Sequence, residues 1–275
     1  MKNLKWFMIL SAILICCFAT GCGDSVMKNE IRFGTGGVGG KYYAYGSALA
    51  EMLKAEKNIS LDVKTTAGSA ANLRLLREGF LDLALVQSDA LKDTDYKQIA
   101  ELYTEACQIV VVDESEIKSV QDLVGKKISV GEKESGTLKN AEQILLAHGL
   151  TFEMFEPSYL SFADSAVALE RGEIDAFFCT AGTATAAVSD LSKKMKIRLL
   201  SIEPQILNNM MKIYQGYTLC KIPAETYEGQ TEEISTLGVK AVLVARKNLN
   251  SVVIEQLTNF ISEKSEKISS AAEKN

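Results

Sequence analysis

The sequence predicts an α/β fold of two similar lobes with a ligand cleft between them. Three observations predict it. Strand-like and helix-like patterns alternate along the chain, which argues for parallel sheets. The order strand, glycine loop, helix, then helix, Gly-x-x-Asp, strand occurs twice. In both copies the loop that opens the first helix is glycine-containing and polar. With 275 residues, 47% of them hydrophobic, the chain can bury the core of one or two domains. That apolar content and a net charge of −5 exclude disorder as the main state. No basic block is present, so nucleic acid is not an expected partner. A single long apolar run, at the very start, excludes a polytopic membrane protein.

Met1 to Gly21 reads as a secretory signal. Lys2 and Lys5 form its positive region, and Trp6 to Ala19 is an uncharged run, short for a membrane span but suited to a signal's apolar core. It ends in Ala19-Thr20-Gly21-Cys22, small residues before a cysteine that resemble a bacterial lipobox. Cys22 is then the lipidated N-terminus, residues 22–29 form a tether, and loss of Lys2 and Lys5 takes the net charge from −5 to −7. The expected product is an exported, membrane-anchored lipoprotein on the periplasmic side or outer cell surface. Cys107, Cys179 and Cys220 remain in the body. An odd number allows one bridge at most, Cys107–Cys220 being one option, and each reads as a buried small hydrophobe. No Cys/His spacing suggests zinc, so neither a metal nor a cofactor is expected.

In the first copy, Ile31 to Phe33 is a strand that runs into Gly34-Thr35-Gly36-Gly37-Val38-Gly39-Gly40. Ala44, Ala48, Leu49, Met52 and Leu53 then recur at helical spacing. Leu61 to Thr65 alternates like a strand. A helix from Ala70 to Glu78 is capped by Ser69 and stopped by Gly79. Leu83 to Val86 is a buried-type strand leading to Gln87-Ser88. In the second copy, Lys127 to Val130 is a strand entering Gly131 to Thr137, and a helix runs through Ala141, Ile144, Leu145 and Ala147. Ala163 to Arg171 is helical, and Ile174 to Cys179 is a strand. Gly79-Phe80-Leu81-Asp82 matches Gly172-Glu173-Ile174-Asp175. The expected division is 30–113 with 212–275 as one lobe and 114–211 as the other, with crossings near 113–115 and 203–211. Ser262 to Asn275 reads as a fraying helix or loose end.

Ligands of open α/β sheets bind beyond the carboxyl ends of strands. The residues there are Gly36, Gly37, Gly39, Tyr42, Tyr43, Gln87 and Ser88 in one lobe. In the other they are Ser135, Gly136, Thr137, Thr180, Ala181 and Gly182. Helix N-termini in these loops offer free N–H groups and partial positive charge to an anion. Ser135 and Thr137 can add hydroxyl donors, and Tyr42 or Tyr43 a phenol or a flat wall.

Several segments resemble the TAXI family of receptors of tripartite ATP-independent periplasmic (TRAP) transporters: 34–53, 67–89, 128–145, 161–182 and 222–246. The glycine-tyrosine and Ser-Gly-Thr segments carry most of the likeness. The resemblance implies a two-lobed periplasmic-binding-protein-like fold of the second type. It also implies a small organic anion as ligand, dicarboxylate or glutamate-like, and a polytopic TRAP permease as partner. It adds Asn140 to the residues above. Lys41 and the run Glu132-Lys133-Glu134 depart from the family pattern. Lys41 or Lys133 pairs either with a ligand carboxylate or with solvent, and solvated charge is expected.

Two other classes compete with this reading. Gly34-x-Gly36-x-x-Gly39 satisfies a dinucleotide fingerprint, with Asp62 about 23 residues beyond Gly39. The export signal and the second equivalent lobe stand against such an enzyme. A Walker loop fails because Tyr42 follows Lys41. The lone histidine, His148, precedes Gly149 at a helix end and suits a structural role. No Gly-x-Ser-x-Gly or His-Glu-x-x-His exists, so no catalytic residue is assigned. A lipid-anchored adhesin or antigen is the third class; the polar glycine loops favour a small-molecule cleft over a flat interface.

Overall fold

The computed structural model describes residues 30–91 and 96–273. The signal sequence 1–21, the tether 22–29 and the lipid site Cys22 lie outside the described residues. Residues 31–275 form one compact unit.

The first copy of the repeat gives β1 (Ile31–Gly34), α1 (Lys41–Lys57), β2 (Leu61–Lys64), α2 (Ser69–Arg77) and β3 (Leu83–Gln87). A long strand β4 (Tyr96–Val112) follows. The second copy gives β5 (Lys127–Ser129), α3 (Gly136–Ala147), β6 (Glu156–Ser158), α4 (Phe162–Glu170) and β7 (Ala176–Ala181). Then come α5 (Ala186–Lys194), β8 (Ile197–Leu199), α6 (Pro204–Ile213), β9 (Thr218–Ile222), β10 (Ile234–Arg246) and α7 (Ser251–Ala272).

Hydrogen bonding joins the strands into one sheet in the order β2-β1-β3-β10-β4-β7-β5-β6, with β8 on β4 and β9 on β10. The expectation of parallel sheets holds only within each copy, where β1 pairs with β2 and β3, and β5 with β6 and β7. The middle is antiparallel, because β10 runs against β3, β4 and β9, and β4 runs against β7 and β8. The connection between the copies is made by these long strands: β4 pairs with β10 up to Ala106 and with β7 from Ala106 onward.

The repeat has a physical basis. Gly79 and Gly172 both close their helices at positive φ. The aspartate three residues later does the same work in each copy: Asp82 accepts the Arg32 N–H at 3.0 Å and Asp175 the Lys127 N–H at 2.7 Å. Each thereby satisfies the start of the neighbouring parallel strand.

Helices cover both faces, so β3 is buried throughout. Leu83 and Leu85 join the cluster of Phe33, Leu49 and Phe260, while Ala84 and Val86 pack with Leu76 and Val242. β7 alternates likewise: Phe178 packs with Ile109, Ile128 and Leu145, and Phe177 with Leu169, Val188 and Tyr227. The C-terminal segment is not a loose end up to Ala272. Leu257, Phe260, Ile261, Ile268 and Ala272 lie on one stripe of α7 and are buried in the first copy's core. Cys107, Cys179 and Cys220 are all free thiols, so the Cys107–Cys220 option is not taken. His148 is structural: its ring nitrogens lie 2.7 Å from the Ile144 carbonyl and 2.9 Å from Glu203.

Candidate functional site

A cavity of about 440 Å³ opens where the loops of both copies meet. The first helix of each copy, α1 and α3, starts on it, and so does α2. Gly40 at the start of α1 and Gly68 at the start of α2 supply no side-chain cap. Neither these helices nor α3 carries an acid in its first turn. All three therefore present positive dipole ends to one space. Gly68 sits at φ 117°, a conformation that favours glycine, and brings the chain close to Ser135.

Asn72 on α2 holds the first wall. It is fully buried and donates at 2.7 Å to each of the Thr35 and Leu85 carbonyls. Its own carbonyl accepts from the Thr66 hydroxyl at 2.8 Å. The Thr35 hydroxyl donates to the Lys64 carbonyl at 2.9 Å. The loops after β1 and β2 are thus fixed by side chains that read as helix and turn residues in sequence.

The second wall is set by two hydroxyls that each already accept a backbone N–H. Ser135 Oγ accepts the Leu138 N–H at 2.9 Å, and Thr137 Oγ1 accepts the Thr180 N–H at 3.2 Å. A hydroxyl bound in this way still has its proton to donate. The walls also touch each other. Arg74 makes a two-pronged pair with Glu134 at 2.9 and 2.8 Å, and the Ala71 N–H donates to the Glu134 carbonyl. Lys139 reaches Asp89 at 2.6 Å.

Of the residues singled out from sequence, Gly36, Gly37, Gly39, Tyr42, Gln87, Ser135, Gly136, Thr137, Thr180 and Ala181 line this cavity. Tyr43, Ser88, Asn140 and Gly182 do not. Tyr43 follows Tyr42 on the helix and projects from a different side. The Ser88 hydroxyl accepts the Lys240 N–H at 3.1 Å. Asn140 is buried against Asp89 and Tyr217. Gly182 is a contact surface for the Lys41 side chain. Lys41 is not the solvated charge expected: it lines the cavity, its side chain is 19% exposed, and its Nζ lies 5.2 Å from the Tyr103 ring centre and 3.8 Å from Glu273. Lys133 stands over the Tyr159 ring.

Sequence reasoning missed Glu105, in the middle of β4. It lines the cavity, is 2% exposed, and accepts the Tyr42 hydroxyl at 2.9 Å. Burial pushes its carboxyl up to about 8 against the pull of the Tyr42 and Gln87 hydrogen bonds, with the Asp89 charge adding to the rise. A lone acid in register with buried Cys107 and Ile109 was the available signal. The dinucleotide alternative finds no geometry: Gly34 is packed against Leu81 and Asn72, and Asp62 pairs with Lys64 at 2.8 Å. Among the described residues, no three His, Cys, Asp or Glu side chains come together as a metal-ligand set.

Comparison with known proteins gives three kinds of likeness. An aliphatic sulfonates-binding protein of Escherichia coli (strain K12) is 28% identical over 184 residues, which is 64% of this chain and 56% of that protein's length. The alkanesulfonate-binding protein SsuA from Xanthomonas axonopodis pv. citri bound to MOPS superposes with a TM-score of 0.53 at 17% identity, covering 89% of this chain and 82% of that one. The substrate binding protein of an amino acid ABC transporter gives 0.58 at 14% identity, over 89% and 99%. These structures establish the periplasmic-binding-protein-like α/β fold, as the sequence predicted. The resemblance to TAXI receptors, and with it the TRAP permease as partner, is overturned, because the sequence profile that matches residues 33–275 is a different one. Glycine loops that open helices and Gly-x-x-Asp turns are demands of this fold, so they misled as marks of one family within it. The chain belongs to the NMT1-like family.

Proposed function

We propose that this protein is an exported solute-binding protein, not an enzyme, that holds a small organic acid in the cavity and delivers it to a membrane transporter of the ABC type. The observation that carries this is the convergence of three helix N-termini, with no acid in any first turn, on one cavity that also holds the Ser135 and Thr137 hydroxyls. Such a donor set stabilises a carboxylate or sulfonate without a dedicated arginine. The names of the relatives support a binding role and an ABC-type partner.

The ligand set we propose is the one read from sequence, with Tyr43, Ser88, Asn140 and Gly182 in supporting positions and Lys41, Thr66, Ser69 and Phe162 added. The two copies act as lobes that close over the ligand, with the division expected from sequence changed in one segment, 218–234. Packing of Ile222, Tyr227 and Ile234 with Phe177 and Leu191 supports assigning 218–234 to the second lobe. Titration calorimetry with a panel of sulfonates and carboxylates tests the reading. An acid should bind, and Ser135→Ala and Thr137→Ala should each weaken it about 10- to 100-fold, the worth of a hydrogen bond to a charged group. Failure of every acid to bind, or wild-type affinity in both variants, overturns it.

Attachment to the membrane through Cys22 remains part of the proposal. Cys22→Ser should abolish incorporation of labelled palmitate and release the protein from the membrane fraction. Unchanged labelling rules out the anchor.

A further inference from the structure

The cavity pairs its donors with acceptors that the acid-binding reading does not use; besides the partly buried Glu132, two of them are almost fully buried. One is the Glu105 carboxyl, 2% exposed. Its hydrogen bond from the Tyr42 hydroxyl leaves it without a cation: among the described residues it forms no ion pair. The nearby Lys41 ammonium is turned to the Tyr103 ring and Glu273 instead. The other is the side-chain carbonyl oxygen of Gln87, which is also 2% exposed and has no hydrogen-bond partner. Both residues line the same cavity. A buried acceptor left unmade is expensive, and a buried carboxyl without a counter-charge keeps its proton instead of ionising. A second ligand carboxylate at this wall would leave the Gln87 carbonyl unpaired and would keep Glu105 in its protonated form. An ammonium offers three donors and the missing charge.

Resting on the acid-binding reading above, we infer that the ligand is a zwitterion, an acid that also carries an ammonium group, and that the Glu105 carboxylate and the Gln87 side-chain carbonyl receive that ammonium. In the free protein Glu105 holds its proton at neutral pH, since its pKa is about 8. Docking of the ammonium favours the carboxylate, and the proton leaves to solvent. The groups that face Glu105 do not blur this. Burial holds the Tyr42 and Tyr103 phenols far above their usual range, and it pushes the Cys107 and Cys179 thiols up. Lys41 and Asp89 are the remaining charged neighbours.

The test is calorimetry on the whole protein with matched pairs: taurine against ethanesulfonate, 4-aminobutyrate against butyrate, glutamate against glutarate. In a pair that binds, the amino member should bind at least about tenfold tighter. At pH 6.5, titration in buffers of different ionisation enthalpy should show release of about one proton per ligand. Affinity should rise with pH and level off above about 8, the Glu105 value. Glu105→Gln, which keeps the size of the side chain, should remove both the preference and the proton release. Equal or tighter binding of desamino acids, binding of an amino acid without proton release, or a preference that survives Glu105→Gln overturns the inference and leaves the acid-binding reading standing. If no member of any pair binds, both fall together.

Discussion

Asn72→Ala should lower stability by about 3–5 kcal/mol. The side chain is fully buried and its amide donates to two carbonyls, Thr35 in the loop after β1 and Leu85 in β3. Alanine leaves both without that donor, and each orphaned buried acceptor costs about 1–3 kcal/mol. The Thr66 hydroxyl still reaches the Thr35 carbonyl, which limits the loss there. The vacated volume adds a cavity penalty. Against a typical total of about 5–15 kcal/mol this is a severe lesion. For a chain of this size it corresponds to a fall in melting temperature of about 10 °C. Urea unfolding followed by circular dichroism measures it. A loss below about 1 kcal/mol would mean that the backbone closes on itself without this residue. Asn72→Asp should behave almost as badly, since it keeps the acceptor for Thr66 and loses both donors.

Gly136→Ala should do the opposite, damaging binding and sparing stability. A methyl group on Gly136 would lie 2.0 Å from Gln87 Oε1 and 2.4 Å from its Cδ. The Gln87 amide must therefore move, and its burial leaves the cavity as the only room. Filling a formed site in this way costs about 1–3 kcal/mol of ligand affinity, roughly 10- to 100-fold. Alanine is the better helix former, so the first turn of α3 offsets part of the strain. Calorimetry with any acid that binds the wild type, beside a melting curve, separates the two effects. Restored affinity in Gly136→Ala combined with Gln87→Ala would locate the damage in that one contact. An unaltered affinity in Gly136→Ala would place the ligand away from α3.

Most regular elements of each copy were legible because their signals are local. The stripe of Ala48, Leu49 and Leu53, the run Leu83 to Val86 and the stops at Gly79 and Gly172 all need only neighbours in sequence to be read. The centre of the sheet was not. β10 joins β3 to β4 across more than 100 residues, and such pairing leaves no mark at short range. The tail misled because Ser, Glu and Lys dominate it, while the buried face of α7 is carried by a few widely spaced residues, Ile268 and Ala272 among them. At the site, the glycine loops and Ser135 and Thr137 were found because helix starts have a recognisable chemistry. Glu105 escaped because an acid inside an apolar strand looks like an edge residue until both neighbouring strands are known.

The place of β10 in the sheet has a consequence for assembly during synthesis. Among the described residues it is the only strand that joins β3 to β4, and it ends at Arg246, long after both. A nascent chain that has not yet emerged past that point carries β3 and β4 with open edges and no route to the native order. Its early segments can form helices and short parallel pairs, but the two halves cannot be locked together until nearly the whole polypeptide is available. Closure then requires the strand pairings of longest sequence separation in the sheet, a slow step. If the protein is exported as proposed, this order of events is protective, because the molecule stays threadable until its last long strand arrives.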